Sequence, residues 1–400
     1  MSSWNRPVVG VRLPPWATFA GSVFHGLLDY MRLHGWWELV TDNNAFGELE
    51  PVHLDEHWRG EGLITFRMTE AEGAAWRKAG MAVVNISSEG GSYGFPRVMP
   101  DNGDVGRKAA GHLLSLGLRN YAYIGRAASQ YNVASWVSGP RRYARERWES
   151  YSACLAGHGI EAESFFVPPH PLWEKNAWRA IRGEIVDFLQ TLRLPCGIFA
   201  ADDPLAMAVR QACYAGGFTV PDDMPLIGFG NDRVYCHGTT PALTSVDYPG
   251  REIGVQAARL LAEQLAGSEP KEIEEIVPVG PVVSRESTDF LCFEDPEIAR
   301  LVRWIRLHAL GDPVQVSDVH AQTDLSMTNL KARFQAVLGH GPKREIMQTR
   351  LRHLEYLLGT TDLPVEKIAQ SMGFTSVESL SRFLVRETGK KLAQYREHHE

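Results

Sequence analysis

Two short segments near the end of the chain place polar and small side chains on one face of a predicted helix. These residues are Thr328, Lys331, Ala332 and Arg333 in the first segment, and Val377, Glu378, Ser381 and Arg382 in the second. Hydroxyl, ammonium, guanidinium and carboxylate groups can hydrogen-bond to the edges of base pairs when a helix lies in the major groove of DNA. The two segments therefore predict a pair of helices with the chemistry for reading double-stranded DNA.

Signals for the start and the end of a helix surround both segments. Ser326 and Ser376 suit the N-cap position, because a serine hydroxyl accepts a hydrogen bond from a backbone N–H of the first helical turn. Gly339 and Gly389 suit the left-handed residue that follows a helix. Ser317 is expected to cap one further helix upstream. The predicted result is two helix-turn-helix motifs in tandem.

The turns and the apolar residues of both motifs fit the same plan. Asp324 and Gly373 stand where the chain must turn sharply, and both residue types tolerate left-handed backbone. Apolar residues recur at three- and four-residue spacing, so one helix face is predicted to pack inward. They are Leu330, Phe334, Val337 and Leu338 in the first motif, and Leu380 and Leu384 in the second. A plain helical hairpin would show the same stripe, but the repeat of caps, turn and stop in one order favours DNA reading.

Residues 297–400 resemble the DNA-binding domain of the AraC family of bacterial transcription regulators. The run from Arg386 to Arg396 is similar to the ending of that family. The resemblance implies two recognition helices that enter successive major-groove segments on one face of DNA. Ala332 stands where the family usually has Arg, although Arg333 is adjacent, and Leu392 replaces a common Pro.

The charge distribution separates this segment from the rest of the chain. From Glu297 onward there are 15 Lys and Arg residues against 12 Asp and Glu residues, whereas the whole chain carries −7. The local surplus is modest, so positioned phosphate contacts and dimerisation are expected to matter more than bulk charge. The candidate phosphate partners are Arg333, Lys343, Arg344, Arg350, Lys390 and Lys391. Solvated surface charge is the alternative for each.

Composition and length exclude several other classes of protein. The chain has 400 residues, of which 44% are apolar and 22% charged, so two or three globular domains are expected. No apolar run is long enough to cross a bilayer, and the first residues lack the pattern of a secretory signal. Five scattered cysteines show neither pairing nor metal-ligand spacing. A cytoplasmic location without a metal or cofactor is the expectation.

The first 285 residues alternate between strand-like and helix-like segments, which predicts an α/β fold with parallel sheets. The predicted strands are 7–11, 37–40, 62–66, 81–86, 121–125, 196–200 and 225–229, and the first predicted helix is 21–34. The second run of strands begins near Asn120, which indicates two doubly wound lobes. Two such lobes leave a cleft where the carboxyl ends of their strands face each other.

Residues 6–288 resemble the two-lobed core shared by LacI-type repressors and periplasmic sugar-binding proteins. The matching pieces are 101–117, 200–203, 225–232 and 243–261. The resemblance implies a sensor domain over 1–288 with crossovers near 118, 246 and 267, then a linker near 286–297 and the reader over 289–400. A sensor of this type followed by an AraC-type reader is the organisation of XylR-type regulators. It implies a homodimeric activator whose effector is a monosaccharide such as xylose, with RNA polymerase as a possible further partner.

A polyol needs fixed polar groups and an aromatic face against its C–H side. Residues at the ends of the predicted strands or at positions that match sugar-binding members are the candidates. They are Trp16, Phe19, Phe66, Arg147, Asp202, Asn231 and Asp247. Each has a structural alternative: Arg147 can pair with a nearby Glu, and Asp247 can serve the hinge. Gly230 stands where sugar-binding members usually carry a ligand Asp, which is a departure from the pattern.

Trp136 and Trp173 are expected to pack within a lobe or at its rim. No HExxH spacing, nucleophile elbow or phosphate-binding loop is present, since the glycine-rich run 90–94 lacks the Gly-Lys-Ser/Thr ending. An enzyme is therefore not expected. The rival to a DNA-binding regulator is a receptor for small molecules whose C-terminal helices serve assembly.

Overall fold

The computed structural model describes residues 6–14, 19–41, 54–127, 142–168, 177–269, 271–290, 295–311, 313–360, 363–392 and 394. The chain divides into two units, Met1–Phe290 and Leu291–Glu400. Trp16, Trp136 and Trp173 lie outside the described residues.

The first unit contains two parallel sheets, one in each of two lobes. The strands of the first lobe are β1 (Val8–Arg12), β2 (Glu38–Thr41), β3 (Gly62–Thr65), β4 (Ala82–Asn85), β5 (Arg97–Pro100) and a late strand, β11 (Glu274–Val277). Across the part of the chain that the structure describes, their order is β11-β5-β4-β3-β1-β2. All residues of β3 and β4 are buried, as expected for strands covered by helices on both faces.

The sheet of the second lobe has the same plan. Its strands are β6 (Asn120–Arg126), β7 (Glu163–Val167), β8 (Cys196–Ala200), β9 (Leu226–Gly230), β10 (Thr244–Asp247) and β12 (Val282–Val283). Their order among the described residues is β12-β10-β9-β8-β6-β7, and only the pairing of β12 with β10 is antiparallel. The predicted doubly wound α/β fold with two lobes is confirmed.

Helices cover both sheets. In the first lobe they are α1 (Phe19–His34), α2 (Glu70–Lys78) and α8 (Gly250–Leu265). In the second they are α3 (Asn102–Leu114), α4 (Arg142–Ala156), α5 (Ala177–Thr191), α6 (Asp203–Gly216) and α7 (Arg233–His237), followed by a short 3-10 turn, Glu286–Thr288. Helix α1 packs along α8, and α3 packs along α4.

The chain crosses between the lobes at three places, two of which differ from the predicted ones. Helix α3 packs against α4 and strands of the second sheet, so the first crossing lies near Asp101, before α3, and not near 118. The second follows Asp247, close to the predicted 246. Because β11 pairs with β5 of the first sheet, the third crossing falls in residues 278–281 and not near 267.

The second unit is helical. Its described helices are α9 (Pro296–His308), α10 (Val316–His320), α11 (Met327–Leu338), α12 (Pro342–Thr360), α13 (Val365–Ser371) and α14 (Val377–Thr388). Helices α9 to α11 and the start of α12 enclose one apolar core, and the rest of α12 with α13 and α14 encloses another. Within the described residues, no helix is long and apolar enough to cross a bilayer.

Two local predictions in this unit are wrong. Helix α10 begins one residue before Ser317, and the backbone N–H of Gln315 donates to Asp318 at 2.8 Å, so Ser317 is not the cap. Asp324 does not adopt left-handed backbone, whereas Gly373 does, with φ of 69°. The first turn spans residues 321–326 and the second only 372–376. We attribute the difference to the extra residue, which lets the first turn close without a left-handed conformation.

Candidate functional sites

A row of aromatic rings runs from the first lobe to the second. Phe19 begins α1 and Phe66 follows β3, and their ring centroids are 5.1 Å apart. The ring of Tyr248, just after β10, lies 5.4 Å from Phe19 and 5.7 Å from Phe229. The row thus joins both lobes beside the second crossing. Ring faces of this kind can cover the C–H side of a small polyol.

Arg147 lies at the end of this row and is only 5% exposed. Its Cζ atom is 4.1 Å from the ring centroid of Phe229 and 4.7 Å from that of Tyr143. Nε donates to Asn102 Oδ1 at 2.9 Å, and Nη1 donates to the carbonyl of Ala201. Burial lowers the pKa of Arg147, but a guanidinium stays charged at neutral pH. The rings and carbonyl therefore hold a cation with fixed donor directions.

Asp202 is the N-cap of α6, where its carboxylate accepts the N–H of Leu205 at 2.8 Å. Arg126 donates two further hydrogen bonds to it, at 3.0 and 3.1 Å, and the hydroxyl of Tyr143 donates a fourth at 3.3 Å. Burial opposes ionisation, yet the charge and hydrogen bonds of Arg126 lower the pKa of Asp202 to about 2. The carboxylate is thus negative and linked to Arg147 through Tyr143.

Asn231 and Asp247 form a second polar group at the ends of β9 and β10. The amide of Asn231 donates to Asp247 Oδ1 at 2.9 Å, and its Oδ1 accepts from Arg285 at 2.6 Å. Asn231 has a φ of 51°, a left-handed conformation that is uncommon outside glycine. Both side chains are half-buried. The structure therefore brings these two predicted ligand residues together.

Position 230 requires glycine because the buried carboxylate of Asp203 lies against it. Its φ is 139°, and a Cβ atom at this position would lie 2.9 Å from Asp203 Oδ2. Asp203 accepts hydrogen bonds from Ser245 Oγ at 2.7 Å and from the N–H of Asp232 at 2.9 Å. Burial raises the pKa of Asp203 to about 6. The departure of Gly230 from the usual ligand Asp thus has a local structural cause.

Sequence reasoning missed several side chains of this region. They are Asn102, Arg126, Tyr143, Phe229, Tyr248 and Arg285. Tyr143 could have been predicted from the sequence, because it precedes Arg147 by four residues on one helix and therefore lies on the same face. The contact of Arg285 with Asn231 could not have been predicted, because the two residues are 54 positions apart in the sequence.

The second unit presents the predicted base-reading residues on its surface. In α11, Thr328, Lys331 and Ala332 are exposed, while Leu330 and Phe334 are fully buried on the opposite face. The hydroxyl of Ser326 accepts the N–H of Asn329 at 3.3 Å, as predicted for a cap.

Helix α14 has the same division. Glu378 and Arg382 are exposed, Val377 and Ser381 are half-buried, and Leu380 and Leu384 lie in the core. Ser376 caps this helix by accepting the N–H of Ser379 at 3.2 Å. Both helices thus offer an open face to a groove.

Several of the predicted DNA-contacting cations have protein partners. Arg344 donates to Glu387 Oε2 at 2.7 Å. Arg333 donates to both oxygens of Asp295, the N-cap of α9, at 2.6 and 2.5 Å. Arg350 is 6% exposed and donates to the carbonyls of Ala309, Gly311 and Met372, so its prediction as a phosphate partner is wrong. A guanidinium whose donors face buried carbonyls serves packing between helices.

Comparison with known proteins identifies both units. A periplasmic binding protein-like domain matches residues 110–288, and a helix-turn-helix domain matches residues 320–398. The xylose operon regulatory protein of Escherichia coli K12 is 26% identical over 367 residues, covering 89% of this chain and 88% of the relative.

Solved structures show the same fold. A structure of the xylose-binding transcription activator XylR aligns with a TM-score of 0.76 at 22% identity and covers 99% of both chains. A LacI family transcriptional regulator from Enterococcus faecium with bound ribose aligns with a TM-score of 0.53 at 21% identity, over 70% of this chain and 98% of its own. This chain is a DNA-binding transcription regulator that is similar to XylR: a sensor resembling LacI-type and periplasmic binding proteins precedes a domain with two helix-turn-helix motifs that resembles the AraC type.

Proposed function

We propose that the first unit binds a pentose such as xylose between its lobes, and that binding changes the affinity of the second unit for DNA. The observation that carries this proposal is Arg147, a buried cation between Tyr143 and Phe229 at the end of an aromatic row. The Escherichia coli relative is named for the xylose operon and the XylR of the solved structure is xylose-binding, which supports the choice of sugar.

The chemistry of the region suits a polyol. Phe19 and Phe66 offer ring faces to the C–H side of the sugar, and Arg147 offers donors to hydroxyl oxygens. Asp202, Asn231 and Asp247 offer acceptors to hydroxyl hydrogens, and Trp16 belongs to the same proposed site.

Polar contacts between the lobes suggest how a ligand acts. The N–H of Tyr143 in α4 donates to Glu89 of the first lobe at 3.2 Å. Arg142 donates to both oxygens of Glu274 in β11, at 2.6 and 2.8 Å. A ligand between the lobes would favour the arrangement that makes these contacts, but only by its difference in affinity for the two arrangements.

The proposed readers are Thr328, Lys331, Ala332 and Arg333 in α11, and Val377, Glu378, Ser381 and Arg382 in α14. We propose that two copies of the chain act together on one operator in the bacterial cytoplasm, that the bound dimer activates transcription through RNA polymerase, and that no reaction is catalysed.

The test combines D-xylose with DNA from upstream of the gene. We expect D-xylose to raise the melting temperature of the full chain and to change its affinity in a gel shift. Arg147→Ala should lose both responses and keep the basal DNA affinity. The matched control is Arg145→Ala in the same helix, whose exposed side chain pairs with Glu149. An unchanged thermal response in Arg147→Ala overturns the site, and absence of salt-dependent DNA binding overturns the regulator.

A further inference from the structure

The last residues of the first unit are fastened to the second lobe through Arg285. Its Nη2 donates to Asn231 Oδ1 at 2.6 Å, and its Nη1 donates to the carbonyl of Leu243 at 2.9 Å. Its backbone N–H donates to Thr244 Oγ1 at 2.7 Å. One residue, half-buried at this position, thus contacts the ends of two neighbouring strands.

The segment that follows Arg285 is held tightly. Ser287 and Thr288 are 1% and 2% exposed. The N–H of Ser287 donates to the carbonyl of Ala242 at 2.9 Å, and its hydroxyl donates to the carbonyl of Leu226 at 2.6 Å. Thr288 Oγ1 lies 2.8 Å from His112 Nε2. Because Ser287 and Thr288 are tightly packed, a displacement of Arg285 should move the whole segment that contains them.

Asn231 connects Arg285 to the crossings between the lobes. Its amide donates to Asp247, whose own N–H donates to the carbonyl of Pro281 at 3.0 Å. The carbonyl of Asp247 accepts the N–H of Gly280 at 3.0 Å. Asp247 thus lies where the second and third crossings run side by side, and any rotation of the lobes must change the backbone there.

We infer that Arg285 is a positioning residue that reports the angle between the lobes to the segment 286–290, through Asn231 and Asp247. The planar amide of Asn231 keeps both hydrogen bonds only in one orientation. A shift of Asp247 therefore either turns the amide and pulls Arg285 with it or breaks one of the two bonds. The inference deepens the proposed function, because it names the contact through which closure of the sensor reaches the end of its own unit.

Hydrogen exchange of the full chain tests the contact without any effector. In Asn231→Ala we expect the amides of Ser287 and Asp289 to exchange about three- to tenfold faster, since two supporting hydrogen bonds are lost. The core strand β8 should keep its protection. The control is Asn120→Ala, which removes a hydrogen bond of 3.2 Å from the side-chain amide to the carbonyl of Pro195 in the same lobe. Equal exchange at 287–289 in wild type and Asn231→Ala overturns the inference.

The reciprocal change provides a second, independent measurement, because coupling between two sites acts in both directions. Arg285→Gln should speed exchange at Asn231 by a similar factor, whereas Arg107→Gln, which removes surface ion pairs with Asp101 and Asp104, should not. A generally destabilised Arg285→Gln would lose protection in β8 as well, and Asn231→Ala then decides the question.

Measurements with D-xylose distinguish a failure of this inference from a failure of the proposed function. We expect Arg285→Gln to bind D-xylose within about threefold of wild type, but to lose most of the sugar-dependent change in DNA affinity. If Arg285→Gln transmits the response as wild type does, the inference is overturned and the proposed function stands. If wild type itself gives no response, the proposed effector is overturned, while the exchange measurements still decide whether Arg285 couples the two places.

Discussion

The two helix-turn-helix halves of the second unit share their local design and differ in how their charges are used. Helices α11 and α14 each have 12 residues, begin after a serine cap and end before a glycine with φ near 73°. In the first half, Arg333 is paired with Asp295 at the start of α9. In the second half, Arg382 is exposed.

One repeated pattern therefore serves two purposes. Caps and apolar spacing determine where each helix lies, and they are the same in both copies. Both helices keep an exposed face, but α11 is also attached to its own unit through Arg333, whereas Arg382 of α14 is exposed. We therefore expect α14 to contribute more to base discrimination, and α11 to contribute more to holding the reader in place.

The largest effect is expected where the halves meet. Arg350→Ala removes a buried guanidinium that links the end of α9 to the end of α13, and leaves three carbonyls without this donor. We expect a loss of about 3 kcal/mol in the unfolding free energy of the reader. Denaturant-dependent hydrogen exchange of α14 in the full chain measures it.

The matched control is Arg352→Ala two positions later. Its side chain is 49% exposed and pairs with Glu345 at 3.4 Å, so a change below about 0.5 kcal/mol is expected. Similar losses in both variants would contradict a bridging role for Arg350.

The next effect concerns DNA affinity. Arg382→Ala should weaken binding to the specific site by about 10- to 100-fold, as expected for loss of one base contact worth about 1–3 kcal/mol. Arg333→Ala should weaken it less and to the same extent on unrelated DNA. Gel shifts at one fixed salt concentration measure both variants, and sensor binding of D-xylose should be unchanged. A larger specific loss in Arg333→Ala would reverse the assignment of the two helices.

A smaller effect separates the two turns. Gly373→Ala should destabilise the second half by about 1 kcal/mol, because its φ of 69° disfavours a Cβ atom. Asp324→Gly should change the first half by no more than about 0.5 kcal/mol, since this turn uses no left-handed backbone at Asp324. Protection of α14 and α11 against hydrogen exchange reports each half. Equal losses of stability in the two variants would show that the turns are equivalent.

The smallest effect depends on pH. The hydrogen bond from Arg333 holds the pKa of Asp295 below its ordinary value of 3.8. A carboxyl with a lowered pKa in the folded state stabilises the fold above its unfolded pKa, and this contribution is lost as pH falls through the folded value.

Near neutral pH, α11 should be better protected against hydrogen exchange in wild type than in Asp295→Asn, by a constant factor. This difference in protection should disappear as the pH falls below 3.8. Protection of α14 should not depend on this substitution at any pH. A gap that persists in strong acid would mean that charge on Asp295 is not the cause.

Much of the fold follows from local patterns. Strand β8, Cys196–Ala200, has the bounds that its apolar run predicts, because a strand buried on both faces leaves no polar interruption. Strand β5 was not predicted, since Arg97–Pro100 contains a buried arginine and a proline. Two of the three lobe crossings were misplaced: the first because the apolar face of α3 does not tell which sheet it covers, and the third because strand β11 was not predicted.

In the candidate sites, too, some residues could be predicted from the sequence and others could not. Arg147 was predicted through its resemblance to sugar-binding proteins, and the exposed face of α14 through helical spacing. The contacts of Arg333, Arg350 and Arg285 could not be predicted, because each joins residues far apart in sequence. An arginine is mostly found at surfaces, and only its tertiary partners show when it is buried.

The neighbourhood of Gly230 constrains how this regulator can acquire a new effector. An aspartate introduced there would collide with the carboxylate of Asp203, and it would need a backbone angle that only glycine adopts easily. Replacing Asp203 first would remove the acceptor that Ser245 and Asp232 share. A lineage or a library that changes one codon at a time must therefore pass through a weakened intermediate, so selection for altered inducers should sample both positions together.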